Sequence, residues 1–186
     1  YGLDPAKPTL LVVGGSLGAE TINQIAIAAA QSSARRFQIL HVTGPKYHSA
    51  IVERMGSLPE GVVLVDYENR MADAYAMADL VLCRAGSSTL AELTAIGKPS
   101  ILVPSPNVTD NHQEGNARGL EDVGAAVVLI ERDLEIDAAV AQIGSLLADE
   151  GTLTRMSTSA KGQGHLDTAQ KVASLLGRQF LEAASS

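Results

Sequence analysis

The stretch Thr9–Asn23, TLLVVGGSLGAETIN, decides the fold. Its first five residues have strand length and are apolar almost throughout, as a strand covered on both faces must be. Glycines follow at Gly14, Gly15 and Gly18, and Ile22, Ile25, Ala26 and Ala29 then recur at helical spacing. A strand, a glycine turn and a helix in that order make half of a parallel crossover unit. The same glycines let backbone approach a ligand at a helix start, where amides and the helix dipole favour an anion. With the Ser16 hydroxyl in the loop, the chemistry suits a phosphate or the edge of a sugar.

Working outward, apolar runs of strand length recur at Phe37–Val42, Val62–Val65, Leu80–Cys83, Ser100–Val103 and Ala126–Ile130. Helical patterns follow them, as in MADAYAMA, TLAELTAIG and NARGLEDVG. Repeated strand–helix units predict an α/β fold with a doubly wound, Rossmann-like parallel sheet. From Ile136 onward the pattern is helical only, with a last helix expected over Leu166–Ala183. The expected organisation is a linker over residues 1–8, one ligand-binding domain over 9–165, and a terminal helix over 166–186 that packs on another domain. The Pro- and Lys-containing start without an initiator Met is what a piece of a longer protein would show.

Composition narrows the function. The chain has two Phe and no Trp among its 46% hydrophobic residues, so its core must be aliphatic and alanine-rich. A net charge of −7, with no basic run beyond Arg35–Arg36, offers nothing to a nucleic-acid backbone. The single cysteine, Cys83, lies in an apolar run, which excludes an internal disulfide, fits a reducing cytosol and reads as a small buried hydrophobe. No segment approaches the about 20 apolar residues of a membrane-spanning helix.

In doubly wound sheets ligands bind beyond the carboxyl ends of the strands. The first loop is G-G-x-x-G, not the dinucleotide G-x-G-x-x-G, and the second strand ends in HVTG without a carboxylate for a ribose. Gly97–Pro99, GKP, lacks the rest of a phosphate-binding P-loop. In CRAGSSTLAE, Gly86, Ser87, Ser88 and Thr89 crowd a helix start, with Glu92 expected in the first turn. Two readings stand there, a ligand-binding helix start and a Thr89–Glu92 capping box. The long loop PSPNVTDNHQEGNA brings Asp110, His112, Gln113 and Asn116 near the next helix, either for a sugar or as an ordinary capped surface loop. His112 has no ligand spacing to His41, His48 or His165, so no metal is expected.

GGSLGAETIN, YENRMADAYAMADLVLCRAGSSTLAELTAIGKPSILVPSP and DNHQEGNA together resemble the C-terminal half of the MurG family. Its members are GT-B glycosyltransferases that move N-acetylglucosamine from UDP-N-acetylglucosamine onto lipid I in peptidoglycan synthesis. The resemblance covers essentially the whole chain. It implies that this is the donor-binding domain, with extra C-terminal helices, and that the acceptor is held by an N-terminal domain. The family's N-terminal glycine-rich loop, its proposed base and an arginine expected just before Tyr1 do not occur in this sequence.

Carried over by motif, Ser16 approaches the donor phosphates. Glu68 takes the position whose backbone reads uracil, with Tyr67 beside it. Ser87, Ser88 and Thr89 meet the diphosphate and sugar, Glu92 the ribose hydroxyls, and Gln113 the sugar hydroxyls. Gly14, Gly15, Gly18, Arg84, Gly86, His112 and Asn116 complete the expected donor surface. His112 departs from a second glutamine found in some members, and Glu68 from an apolar residue in others. The resemblance further implies inversion at the anomeric carbon, no cofactor or metal, no catalytic residue within this chain, and a parent enzyme peripheral on the cytoplasmic face of the plasma membrane. A non-hydrolysing UDP-sugar epimerase, the donor subunit of a two-chain transferase and an NAD-type module are the rival readings.

Overall fold

The structure is a computed structural model and describes residues 1–106 and 112–164. The strands are β1 (Thr9–Val13), β2 (Gln38–Val42), β3 (Val62–Val65), β4 (Leu80–Cys83), β5 (Ser100–Leu102) and β6 (Ala126–Val128). The helices are α1 (Glu20–Gln31), α2 (His48–Met55), α3 (Met71–Met77), α4 (Ser87–Ile96), α5 (His112–Asp122), α6 (Ile136–Ala148) and α7 (Glu150–Gly162). All six strands are parallel, in the order β3-β2-β1-β4-β5-β6. The expected doubly wound sheet is therefore present. The expected terminal helix over Leu166–Ala183 lies outside the described residues.

Alternation along each strand sends side chains to opposite faces, and helices cover both. On one face Leu10, Val12, Ile39 and Leu82 pack with Ile22, Ile25 and Ala29 of α1 and Ala139, Ile143 and Leu147 of α6. On the other, Leu11, Leu40, Val81 and Cys83 pack with Ala74 and Tyr75 of α3, Leu90 and Leu93 of α4, and Ala117 of α5. α6 thus completes a sheet face, and α7 packs on α4.

The strand order reverses between β1 and β4, which pair directly from Leu10–Leu80 to Val13–Cys83. Connections leave such neighbours in opposite directions, so a crevice opens at their carboxyl ends. The glycine turn at 14–19 and the segment 84–86 border that crevice. Tyr1–Pro8 is tied to the domain at its opposite edge, where Gln38 Oε1 accepts from the Asp4 N–H at 2.7 Å and Gln38 Nε2 donates to the Asp4 carbonyl at 2.8 Å.

Candidate functional site

The turn after β1 is built by close backbone contact. The Gly18 N–H donates to the Gly15 carbonyl at 3.0 Å, leaving Ser16 and Leu17 exposed at the tip. A Cβ on Gly14 would stand 2.4 Å from the Ala19 nitrogen. Gly18 and Gly44 both have left-handed backbone, with φ +78° and +83°. A Cβ on Gly18 would meet the Thr43 carbonyl oxygen at 2.3 Å, and one on Gly44 the Gly18 nitrogen at 2.4 Å. Two of the opening glycines thus serve the protein's own packing, which revises their reading as space cleared for a ligand.

Across the crevice the arrangement differs. α4 begins at Ser87, with Gly86 as its N-cap at φ −69° and ψ 142°, a conformation open to any residue. A Cβ on Gly86 would meet nothing within 4 Å among the described residues. Ser87 and Ser88 are exposed and Thr89 is half-buried, with no side chain capping the helix. Uncapped starts also occur at α1, α2, α3 and α6. What sets α1 and α4 apart is that they follow β1 and β4, the neighbours at which the strand order reverses, so their starts lie at the switch point.

The capping-box alternative fails on register. Thr89 is the third residue of α4 and Glu92 the sixth, so Glu92 is in the second turn and out of reach of the N-cap. Its Oε2 instead accepts from the Tyr75 hydroxyl of α3 at 2.9 Å, while the residue itself is exposed. Burial first, and then the Glu92 carboxylate, push the Tyr75 phenol well above its ordinary range.

Glu68 has its side chain committed. It accepts from the Tyr1 hydroxyl and, at 2.6 Å, from the Arg70 N–H. Those bonds, led by the one from Tyr1, hold its carboxyl below the usual range. Tyr67 beside it is exposed. Gln113 Oε1 accepts from the Ser105 N–H at 2.9 Å, pinning α5 to the loop after β5. Asn116 and Ser87 line one groove between α4 and α5, with Leu90, Ala91 and Gly119. His112 opens α5 and is exposed. Asp110 lies outside the described residues.

Arg84 is placed at the crevice but is held by the protein. Its Nη1 lies 2.7 Å from Glu131 Oε2 and 3.1 Å from the carbonyl oxygens of Val103 and Pro104. Its expected place on the donor surface is thereby as a support under the loops. Lys98 of the GKP segment donates to the Ala78 carbonyl at 2.5 Å, a structural contact.

The family model for the glycosyltransferase family 28 C-terminal domain matches residues 9–172. The chain belongs to that family. An Oenococcus oeni protein named UDP-N-acetylglucosamine:N-acetylmuramyl-(pentapeptide) pyrophosphoryl-undecaprenol N-acetylglucosamine transferase is 42% identical over 181 residues, covering 95% of this chain and 48% of its own. A Caldanaerobacter subterraneus protein of the same name is 40% identical over 179 residues, 94% of this chain and 49% of its own. Among solved structures, Acinetobacter baumannii MurG aligns with a TM-score of 0.84 at 30% identity, over 93% of this chain and 50% of that one. The calicheamicin glycosyltransferase CalG4 aligns with a TM-score of 0.68 at 24% identity, over 94% and 45%, and shares the fold. The chain spans about half the length of the curated relatives it matches.

In this family 28 domain three side-chain devices brace the site, and motif reading missed them. Asn23 Nδ2 donates to the Thr43 carbonyl at 3.1 Å, and Asn23 Oδ1 accepts from His41 Nε2 at 2.8 Å. The Thr43 hydroxyl reaches the Val65 carbonyl at 3.1 Å and His48 Nδ1 at 3.1 Å. Asn23, His41 and Thr43 are all buried, so α1 and the ends of β2 and β3 are held by one polar network. Burial, with the nearby His48 ring adding to it, pushes His41 down to about 4 and keeps it neutral.

The second device joins Thr21, whose hydroxyl donates to Glu131, with the Arg84–Glu131 pair. Burial alone would raise the Glu131 carboxyl, but the bonds from Thr21 and Arg84 outweigh it and hold the group below its usual range. The third is the Tyr75–Glu92 bond. A polar residue at an inward strand position, such as His41 in the run QILHV, was the available signal for the first device. The other two depend on partners far apart in sequence and had none.

Proposed function

We propose that this chain is the donor-binding half of an inverting glycosyltransferase that carries N-acetylglucosamine from UDP-N-acetylglucosamine to lipid I. The observation that carries the reading is the crevice between β1 and β4. Uncapped helix starts follow both of its strands, a Cβ on Gly86 would meet nothing within 4 Å among the described residues, and the Glu92 carboxylate, held by Tyr75, stands further along α4. The starts of α1 and α4, with Ser16, Ser87, Ser88 and Thr89, hold the diphosphate and stabilise the charge that develops as UDP leaves. Glu92 accepts from both ribose hydroxyls, and the backbone at Glu68 beside Tyr67 reads uracil. Gln113, already holding Ser105, reads the sugar hydroxyls with its amide. Gly15, His112 and Asn116 complete the rim.

The relatives' names support the acceptor class, an undecaprenol-linked muramyl pentapeptide. A nucleotide sugar and a lipid-linked acceptor meet at the cytoplasmic face of the plasma membrane, where the parent enzyme acts as a peripheral protein. The acceptor and the base that deprotonates it belong to the other half of the relatives' length. Orienting a second reactant supplies roughly 7 to 11 kcal/mol in favourable cases, so this chain alone binds donor and transfers nothing.

Calorimetry with UDP-N-acetylglucosamine, UDP-glucose and NAD tests the reading. Binding of the first with a weaker second and a silent third is expected, and a Glu92→Ala variant should lose about 1.5 to 3 kcal/mol of UDP affinity. Preference for NAD, or a folded Glu92→Ala chain with unchanged UDP affinity, would overturn it. Transfer to a lipid I analogue by the purified 186-residue chain would overturn the division of labour.

A further inference from the structure

We infer that Tyr75 is a positioning residue that orients the Glu92 carboxylate and thereby sets how strictly the site demands a ribose. The inference rests on the reading of Glu92 as the ribose acceptor. The Tyr75 ring is 7% exposed and packs in the apolar layer with Ala78, Val81, Cys83, Leu90 and Leu93. Only its hydroxyl leaves that layer, and it donates to Glu92 Oε2 at 2.9 Å. A ring fixed by packing is a rigid anchor, whereas an exposed glutamate has three free torsions.

One bond from a fixed donor narrows the rotamers open to the carboxylate. Oε1 and the remaining acceptor capacity of Oε2 are left for two vicinal hydroxyls. The bond also crosses elements. Tyr75 belongs to α3, which follows the loop carrying Tyr67 and Glu68, and Glu92 belongs to α4, which carries Ser87–Thr89. The base-reading and ribose-reading segments are thereby held in one relative placement.

A merely structural phenol would affect every nucleotide alike. An orienting one acts only through the hydroxyls that Glu92 contacts. The probes are therefore UDP and 2′,3′-dideoxy-UDP, titrated against the 186-residue chain and its Tyr75→Phe, Glu92→Ala and doubly substituted variants. Tyr75→Phe keeps the ring in the core, so the chain stays folded. We expect its UDP affinity to fall about three- to tenfold with dideoxy-UDP binding unchanged, and no further loss when it is added to Glu92→Ala. Equal losses for both nucleotides, or a wild-type affinity ratio in Tyr75→Phe, would overturn the role of Tyr75 while leaving Glu92 in place. Equal binding of the two nucleotides by the unsubstituted chain would remove the ribose reading itself, and this inference with it.

Discussion

The two banks of the crevice look alike in sequence and are made differently. GGSLG after β1 and AGSST after β4 are both small, glycine-bearing turns into a helix. On the first bank Gly14 and Gly18 answer to the protein, while a Cβ on Gly15 would meet no described atom within 4 Å. Gly18 and Gly44 interlock at backbone distance, and the Asn23–His41–Thr43 network holds the segments they belong to. On the second, a Cβ on Gly86 would meet nothing among the described residues. The contrast teaches that the first bank is braced at Gly14 and Gly18 by the protein's own backbone, while the second is left open by the described residues at Gly86.

The comparison would break first at Gly44. With left-handed backbone and a neighbour at 2.4 Å, Gly44→Ala should destabilise the fold by about 3 kcal/mol or more. Thermal unfolding checks this, and an unchanged midpoint would undo the bracing of the first bank.

His41 tests the same bank by pH. Its folded pKa lies near 4 because burial disfavours the charged ring, against about 6.5 when unfolded. The unfolded chain therefore binds more protons between those values. This contribution is fully present above about 6.5 and is lost as pH falls toward 4, up to about 3 kcal/mol in total. Urea titrations across that window should show the slope, and His41→Gln should flatten it. A wild-type chain equally stable at both ends would show that His41 is not held neutral.

The second bank is tested by Gly86→Ala. Stability should change by less than about 1 kcal/mol, since the backbone is compatible and no atom of the described residues is met. UDP affinity should fall about tenfold, or 1.4 kcal/mol. A destabilised variant with intact affinity would reverse the contrast.

The smallest effect is expected at Gln113, which already holds the Ser105 N–H. Gln113→Ala should narrow the affinity gap between UDP-N-acetylglucosamine and UDP by about 1 kcal/mol, with UDP binding nearly untouched. Equal losses for both ligands would place the residue outside the sugar subsite.

Strand positions were legible in sequence because parallel strands covered on both faces are apolar runs such as TLLVV and LVLC. Their ends were less so. Ala126–Ile130 shortens to Ala126–Val128, since hydrogen bonding to a neighbour, not hydrophobicity, ends a strand. The ligand-facing loops were legible from small residues at helix starts. Their supports were not, because Arg84–Glu131 and Thr21–Glu131 join residues 47 and 110 positions apart.

By itself, then, the sequence determined the alternation of strands and helices, the aliphatic core and the three small-residue loops, all of which follow from local pattern and turn chemistry. Only the tertiary structure decided that Gly14 and Gly18 serve packing while Gly86 does not, that Glu92 takes Tyr75 rather than a helix cap, and that Arg84 braces loops. Each of those outcomes turns on which distant atom occupies the space beside a residue. No local pattern encodes that, because the sheet order brings those atoms together only after the chain has folded.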